Sequence, residues 1–312
     1  MQFDWTPRTL KDWRFYYGQA LKTNWMQTWS YAQASLKTDY LQSRLALILV
    51  DQKPIGMMCI QEIKVSFFHI INLKRGPLWF QNPSTEIFID FAETFRREFP
   101  KSYFQRLRWI PEFNFEPSSS ADLIQKMQSI GFKARTENYV TSWIDLNISE
   151  QDLKAKIQQK WRNCLNASLK NNIQILLKTD TDLLPEFMEH YQTHVQQKKY
   201  KGASVRFLST EINDLAKTKD VFFLWAYKND QPIAGMCITI HGRCAAYRIG
   251  WNTFVGRQVK SHYLLIWTAL NHARHMGLKS FDLGGLLPDD APGITHFKNG
   301  LNGQLTTTTI FS

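Results

Sequence analysis

The chain has no apolar run long enough to span a bilayer, no cysteine pair at metal or redox spacing, and no Ser-His-Asp or Cys-His signature. Each absence removes a class of protein. The longest apolar stretch, LALILV (45–50), is broken at once by Asp51, far short of the roughly 20 residues a spanning helix needs. The N-terminal MQFDWTPRTLKDWR carries Asp4, Arg8, Lys11, Asp12 and Arg14 and so lacks the apolar centre of a signal peptide. A cytoplasmic location is the expectation. The four cysteines, Cys59, Cys164, Cys237 and Cys244, form no CxxC and no Cys/His spacing, which predicts reduced thiols and no metal. Cys59 and Cys237 lie in apolar, strand-like runs, where a free thiol behaves as a small core residue. His272 and His275 sit three apart without a carboxylate partner and read as a surface pair.

What is present is a globular composition with a strong charge bias. Hydrophobic residues make up 44% and charged residues 21% of 312, enough chain to bury the core of one large domain or two ordinary ones. The formal charge is +11. Excess Lys and Arg attract phosphate-rich partners over long range, so nucleic acid, an anionic membrane surface and nucleotide-linked substrates are the partner classes to consider.

The sequence also repeats itself. ILVDQKPIGMMCI (48–60) and WAYKNDQPIAGMCI (225–238) share one hairpin plan, with Pro54 and Pro232, and Cys59 and Cys237, each 178 residues apart (232 − 54 and 237 − 59). A proline cannot donate to a strand ladder, so it marks the strand entry in both copies. Residues 87–99 and 263–276 are amphipathic at helical spacing, and each leads into a short strand, 104–109 and 278–283. Later, QKMQSIGF (125–132) and THFKNGL (295–301) each end a short helix with a glycine, Gly131 and Gly300, in the C-cap role. Helix and strand alternate in both halves, which predicts a mixed α/β architecture of two similar domains, 1–147 and 148–312, each a mixed sheet flanked by helices.

The last of these stretches, GITHFKNGLNG (293–303), has a plain reading. Ile294 and Phe297 form an apolar helix face, Lys298 is solvated, and Gly300 stops the helix.

Several stretches, taken in order, resemble the Fem family of aminoacyl-tRNA-dependent transferases that branch peptidoglycan stem peptides. They are NWMQTWSYAQ (24–33), KRGPL (74–78), LRWIPE (107–112), the basic segment KWRNCLNASLKNNIQI (160–175), SFDLGGL (280–286) and GITHFKNGLNG. The resemblance covers nearly the whole chain. It implies two tandem acetyltransferase-like (GNAT) domains and direct aminoacyl transfer from tRNA to an amine-bearing acceptor, with no cofactor beyond the charged tRNA. It implies a catalytic role for Lys298, whose ammonium would stabilise the oxyanion, with Asp282 assisting a proton or holding a loop. It places Arg206 at an acceptor diphosphate, which a planar guanidinium binds in a bidentate way. Arg248, Lys37, Trp25 and Gln27 fall at substrate positions, and Arg162 and Lys170 at a tRNA-facing helix. The absence of a nucleophile–base pair suits direct transfer.

The departures concern the acceptor. Ile110 stands where the family's nucleotide-sugar binders have an acidic residue, Thr210 and Arg248 where they have aromatics, and Gln33 and Ser35 where they have lysines. An acyl-CoA-dependent N-acyltransferase of the same superfamily is the alternative. Such enzymes hold pyrophosphate on a glycine-rich helix start, where this chain has RQVKSHY (257–263) and, in the first copy, QNPSTE (81–86).

Overall fold

The structure is a computed structural model that describes residues 1–112, 120–198, 202–286 and 292–312. The chain divides into two compact units, residues 1–140 with 306–312, and residues 141–305. The first contains β1 (Gln2–Asp4), α1 (Leu10–Tyr17), α2 (Trp29–Asp39), β2 (Gln42–Val50), β3 (Lys53–Val65), β4 (Phe68–Lys74), the short β5 (Leu78–Trp79), α3 (Thr85–Glu98), β6 (Gln105–Ile110) and α4 (Ser120–Ser129). β7 (Ala134–Asp145) begins in the first unit and ends in the second. The second continues with α5 (Glu150–Lys156), α6 (Gln159–Leu169), β8 (Gln174–Lys178), α7 (Leu184–Lys198), α8 (Val205–Ala216), β9 (Val221–Lys228), β10 (Gln231–His241) and β11 (Cys244–Asn252). After these come α9 (Phe254–Gln258), α10 (Ser261–His275), β12 (Ser280–Gly285), α11 (Pro292–Asn299) and β13 (Gln304–Phe311).

The repeat is legible in the backbone. β2 and β3 are joined by Asp51 and Gln52, and β9 and β10 by Asn229 and Asp230, all four at positive φ. Two successive positive-φ residues form the hairpin turn whose twist matches that of the strands. Pro54 and Pro232 are each the second residue of the following strand, and each ladder shifts register beside its proline. A proline without an N–H fits that break in the ladder.

Alternation then sorts the side chains. Met58 and Ile60 of β3 join Phe88, Phe91 and Phe95 of α3 in one core, while Met57 and Cys59 face Trp13 and Tyr17 of α1. In the second unit Met236 and Ile238 of β10 meet Leu265, Ile266, Ala269 and Ala273 of α10, while Cys237 faces Phe187 and Leu208 of α7 and α8. Residues 58, 59 and 60 thus have the same environments as 236, 237 and 238. Period-two strands between period-3.6 helices build the same layers twice. Cys59 and Cys237 are free buried thiols, and burial pushes the Cys59 thiol up to about 12.

The second half does not keep its last strand. β13 pairs antiparallel with β6 through Phe311 and Trp109, and Phe311 is fully buried among Phe132, Trp109 and Met127. Residues 306–312 therefore belong with the first unit, unlike the continuous 148–312 domain that the repeat suggests, because an aromatic core claims the strand.

Candidate active site

In the first unit the parallel pair β4 and β6 holds its ladder over six residue pairs, His69 with Gln105 through Lys74 with Ile110. The corresponding pair in the second unit, β11 and β12, is joined only from Cys244 with Ser280 to Ala246 with Asp282. Both strands continue beyond that point. The cause is local. Gly284 has φ of +74°, a conformation that turns β12 out of register and that glycine adopts without strain. Asp282 holds the turn from inside, accepting the Gly284 N–H at 2.8 Å and the Thr141 hydroxyl. Its carboxylate is fully buried. The loop-holding role, one of the two envisaged for it, is what these contacts provide.

Lys298 enters the break from α11. Its Nζ donates to the Gly285 carbonyl at 2.9 Å and lies 5.6 Å from the centroid of the Tyr247 ring. A Cβ on Gly284 would sit in ordinary contact with that Nζ, at 3.6 Å, but tightly against the Tyr247 carbonyl oxygen, at 3.2 Å. Lys298 is only 6% exposed, the reverse of the solvated position read from the helix pattern. Ile294 is exposed and Phe297 only half-buried. Trp161 produces this inversion. Its indole donates to the Phe297 carbonyl at 3.1 Å and packs on Phe297 and Tyr263, which turns α11 so that the lysine points inward. Gly300 does not adopt the positive φ of a C-cap glycine. It is glycine because a Cβ would meet Trp161 Cδ1 at 2.5 Å.

Burial lowers the Lys298 pKa to about 8, opposed by the neighbouring Asp282 carboxylate. A buried ammonium loses hydration, and one nearby anion restores only part of it. At neutral pH the group is charged, and among the described residues one of its three N–H donors is committed, to Gly285. A desolvated cation beside an opened parallel pair can polarise a carbonyl or receive a developing oxyanion.

The remaining sequence-predicted residues separate into two groups. Gln27 is fully buried, and its amide binds backbone on both sides, accepting Cys59 N–H at 2.7 Å and donating to Cys59 O at 3.0 Å and Lys74 O at 2.8 Å. It ties the N-terminal segment to β3 and β4 and is no substrate group. Trp25 packs edge-on against Tyr31 beside it. Arg248 is held by Glu211 through two bonds of 2.8 and 3.0 Å, with both side chains buried. Burial raises the Glu211 pKa and Arg248 lowers it, the signature of a structural ion pair. Arg162 caps the end of α5, donating to the carbonyls of Ala155 at 2.9 Å and Ile157 at 2.6 Å, so its guanidinium is engaged on its own fold. Arg206, Lys37 and Lys170 remain exposed. Of all the predicted residues, Lys298 and Asp282 are brought together.

Sequence reasoning did not identify Tyr247, Thr141, Gly284 or Trp161. A signal existed for Tyr247, in the YRIG strand, and for Trp161, in KWRN. In the first unit Arg75, Asn24 and Glu112, from three of the quoted stretches, also meet. Arg75 binds Glu112 at 2.8 and 3.0 Å, and Asn24 donates to the Arg75 carbonyl at 2.7 Å. A shallow pocket elsewhere in the second unit, lined by His190, His194, Trp251, Phe254 and Arg257, contains none of these residues. Among the described residues no helix is long and apolar enough to cross a membrane, and no group of three or more His, Cys, Asp or Glu side chains is placed to hold a metal ion.

Residues 151–299 match the family model of the acetyltransferase (GNAT) domain. No curated protein matches the chain. Among solved structures, FemX is similar over 100% of this chain and 96% of its own, with a TM-score of 0.80 at 13% identity. The C-terminal domain of a putative lysylphosphatidylglycerol synthetase from Agrobacterium fabrum aligns with 85% of this chain and 82% of its own, with a TM-score of 0.54 at 12% identity. A tandem GNAT protein from the clavulanic acid biosynthesis pathway aligns with 99% of this chain and 97% of its own, with a TM-score of 0.51 at 12% identity. The chain therefore has a mixed α/β, GNAT-type fold shared with FemX, and residues 151–299 within it are similar to the acetyltransferase (GNAT) domain.

Proposed function

We propose that the protein is an aminoacyltransferase that moves an amino acid from aminoacyl-tRNA directly to an amine-bearing acceptor. The observation that carries this reading is the buried Lys298 ammonium at the break between β11 and β12. The tRNA ester is already activated, so positioning and charge stabilisation supply the catalysis. The acceptor amine attacks the ester carbonyl, forming the C–N bond and placing negative charge on the carbonyl oxygen opposite Lys298. The C–O bond then breaks, and the amine's proton passes to the departing ribose oxygen. Asp282 keeps Gly284 turned and Lys298 charged. The Fem-family resemblance supports the tRNA donor, as does the fold shared with the C-terminal domain of a putative lysylphosphatidylglycerol synthetase, a protein named for an aminoacylated product. The +11 charge fits a polyanionic donor.

One observation favours a second reading, acyl-CoA-dependent N-acyltransfer: the family model that matches residues 151–299 is an acetyltransferase model. Against it, no glycine-rich loop opens α10. The short helix α9 precedes it, Lys260 takes the positive-φ position, and the Tyr263 N–H is bonded to the Lys260 carbonyl.

Incubation with a set of charged tRNAs and candidate amines separates the two. Loss of the aminoacyl ester only when enzyme and amine are present, weakening as salt rises, is the expected result. Tight, salt-insensitive binding of acetyl-CoA by calorimetry, with intact aminoacyl-tRNA, would reverse the order of the two readings.

A further inference from the structure

The turn between β3 and β4 and the segment leading into β6 lie side by side in the first unit, because β4 and β6 pair in parallel from His69 and Gln105 onward. Together they expose an aromatic cluster. Phe67 lies 4.6 Å from Phe68 and 4.8 Å from Phe104, and Phe104 lies 5.3 Å from Tyr103, by ring centroids. Tyr103 is 81% exposed, Phe67 62% and Val65 60%, with Phe68, Ile70 and Phe104 also exposed. Val65 is paired with Phe68, and Ile70 with Arg106, so Val65, Phe68 and Ile70 extend the cluster down one face of the sheet. Scattered apolar residues on a surface need no explanation, whereas a contiguous protruding patch marks an interaction site.

The charges around it have one sign. Residues 63–70 and 101–108 include Lys64, His69, Lys101, Arg106 and Arg108 and no Asp or Glu, and Lys64, Lys101, Arg106 and Arg108 are exposed. The nearest carboxylate on these strands, Glu62, is buried against His69 at 2.7 Å. A second copy docked about a two-fold axis would bring these cations against their own images, which is unfavourable. A nucleic acid would stack on flat rings, but Val65 and Ile70 offer none, and Phe67 packs edge-on against Phe104 at 72°. An exposed aromatic and aliphatic cluster on segments that carry exposed Lys and Arg and no carboxylate instead matches an anionic lipid surface. Rings there enter the headgroup boundary while cations stay at the phosphates.

We propose that the tip formed by residues 65–68 and 103–104 docks the protein peripherally on anionic membranes. This surface lies in the first unit, apart from Lys298 in the second, and its assignment does not depend on the identity of the acyl donor.

The test is co-sedimentation of the full chain with vesicles of phosphatidylglycerol and phosphatidylcholine, against phosphatidylcholine alone. Binding to the mixed vesicles and not to the neutral ones is expected. Phe67→Ser and Tyr103→Ser should each weaken it on the order of tenfold, the loss for about 1.4 kcal/mol of apolar burial. Lys64→Ser and Arg106→Ser should each weaken it about fivefold. All four side chains are exposed, so the melting curves should stay unchanged. Absence of binding to the mixed vesicles, or undiminished binding by the Phe67→Ser, Tyr103→Ser double variant, overturns the proposal. So does self-association in solution, or tRNA binding without vesicle binding, where the double variant abolishes it.

Discussion

Replacing Lys298 by methionine should stabilise the protein at neutral pH while removing its activity. Burial lowers the lysine's pKa from 10.5 to about 8, a difference worth about 3 kcal/mol of destabilisation while the group is charged in the fold. Methionine keeps most of the volume and carries no charge. It leaves the Gly285 carbonyl without the 2.9 Å bond from Nζ, a loss of about 1 kcal/mol. The net expectation at pH 7 is a gain of about 2 kcal/mol in unfolding free energy. The pH dependence fixes the sign. Between about 8 and 10.5 the unfolded chain holds the lysine's proton and the folded chain has released it, so wild-type stability rises with pH across that window. Below it both states are protonated and the full penalty remains. Methionine has no such dependence, so its advantage should shrink as the pH climbs and reverse by about 1 kcal/mol near the top of the window. Urea unfolding of both proteins from pH 6 to pH 10 measures this. If Lys298→Met is equally destabilising at every pH, the ammonium is compensated in the fold and the argument fails.

The remaining expectations concern the neighbours. Asp282→Asn removes the anion that raises the Lys298 pKa, so the alkaline fall in turnover should move to lower pH, read from a kcat–pH profile. Arg248→Met leaves the Glu211 carboxylate buried without its partner and should destabilise by about 3–5 kcal/mol; denaturant unfolding checks this, and a change in KM alone would contradict it. Gln27→Ala should lose about 3 kcal/mol or more by stranding the backbone groups of Cys59 and Lys74, checked in the same way. Gly300→Ala should disturb the contact with Trp161 and lower turnover with a shift in tryptophan emission, since Trp161 orients the helix that carries Lys298.

The hairpins and crossover helices could be read from the sequence because their signals are local. Pro54 and Pro232 sit beside ladder shifts, and the Phe88, Phe91 and Phe95 spacing describes a single helix face. The fate of the polar residues was not local. Gln27 is satisfied by strands more than thirty positions away, and Arg248 by a glutamate on α8 thirty-seven residues earlier. A motif marks such residues as necessary without showing whether necessity comes from substrate or from backbone. Lys298 lies on α11 as the sequence pattern expects, but that pattern predicts the wrong face, since the side chain is buried. The pattern counts apolar residues on α11 and knows nothing of Trp161, 136 positions earlier, whose hydrogen bond to the Phe297 carbonyl sets the helix orientation.

The two copies also differ in a way that bears on the proposed placement of the chemistry in the second. An intact parallel ladder satisfies backbone N–H and C=O groups in pairs and leaves no opening, as β4 and β6 do over six pairs. Opening a ladder frees such groups, and something must then satisfy them. In the second unit the Asp282 carboxylate takes the Gly284 N–H, and the Lys298 ammonium takes the Gly285 carbonyl. The two charged residues therefore replace the missing ladder partners, and they carry opposite charges because one free group is a donor and the other an acceptor. It follows that Asp282 and Lys298 should be coupled. Asp282→Asn and Lys298→Met together should differ in stability from the sum of the single variants by on the order of 1 kcal/mol or more, a departure expected of residues in one network. Additive effects in that double-mutant cycle would mean that the break between β11 and β12 is held open by Gly284 alone.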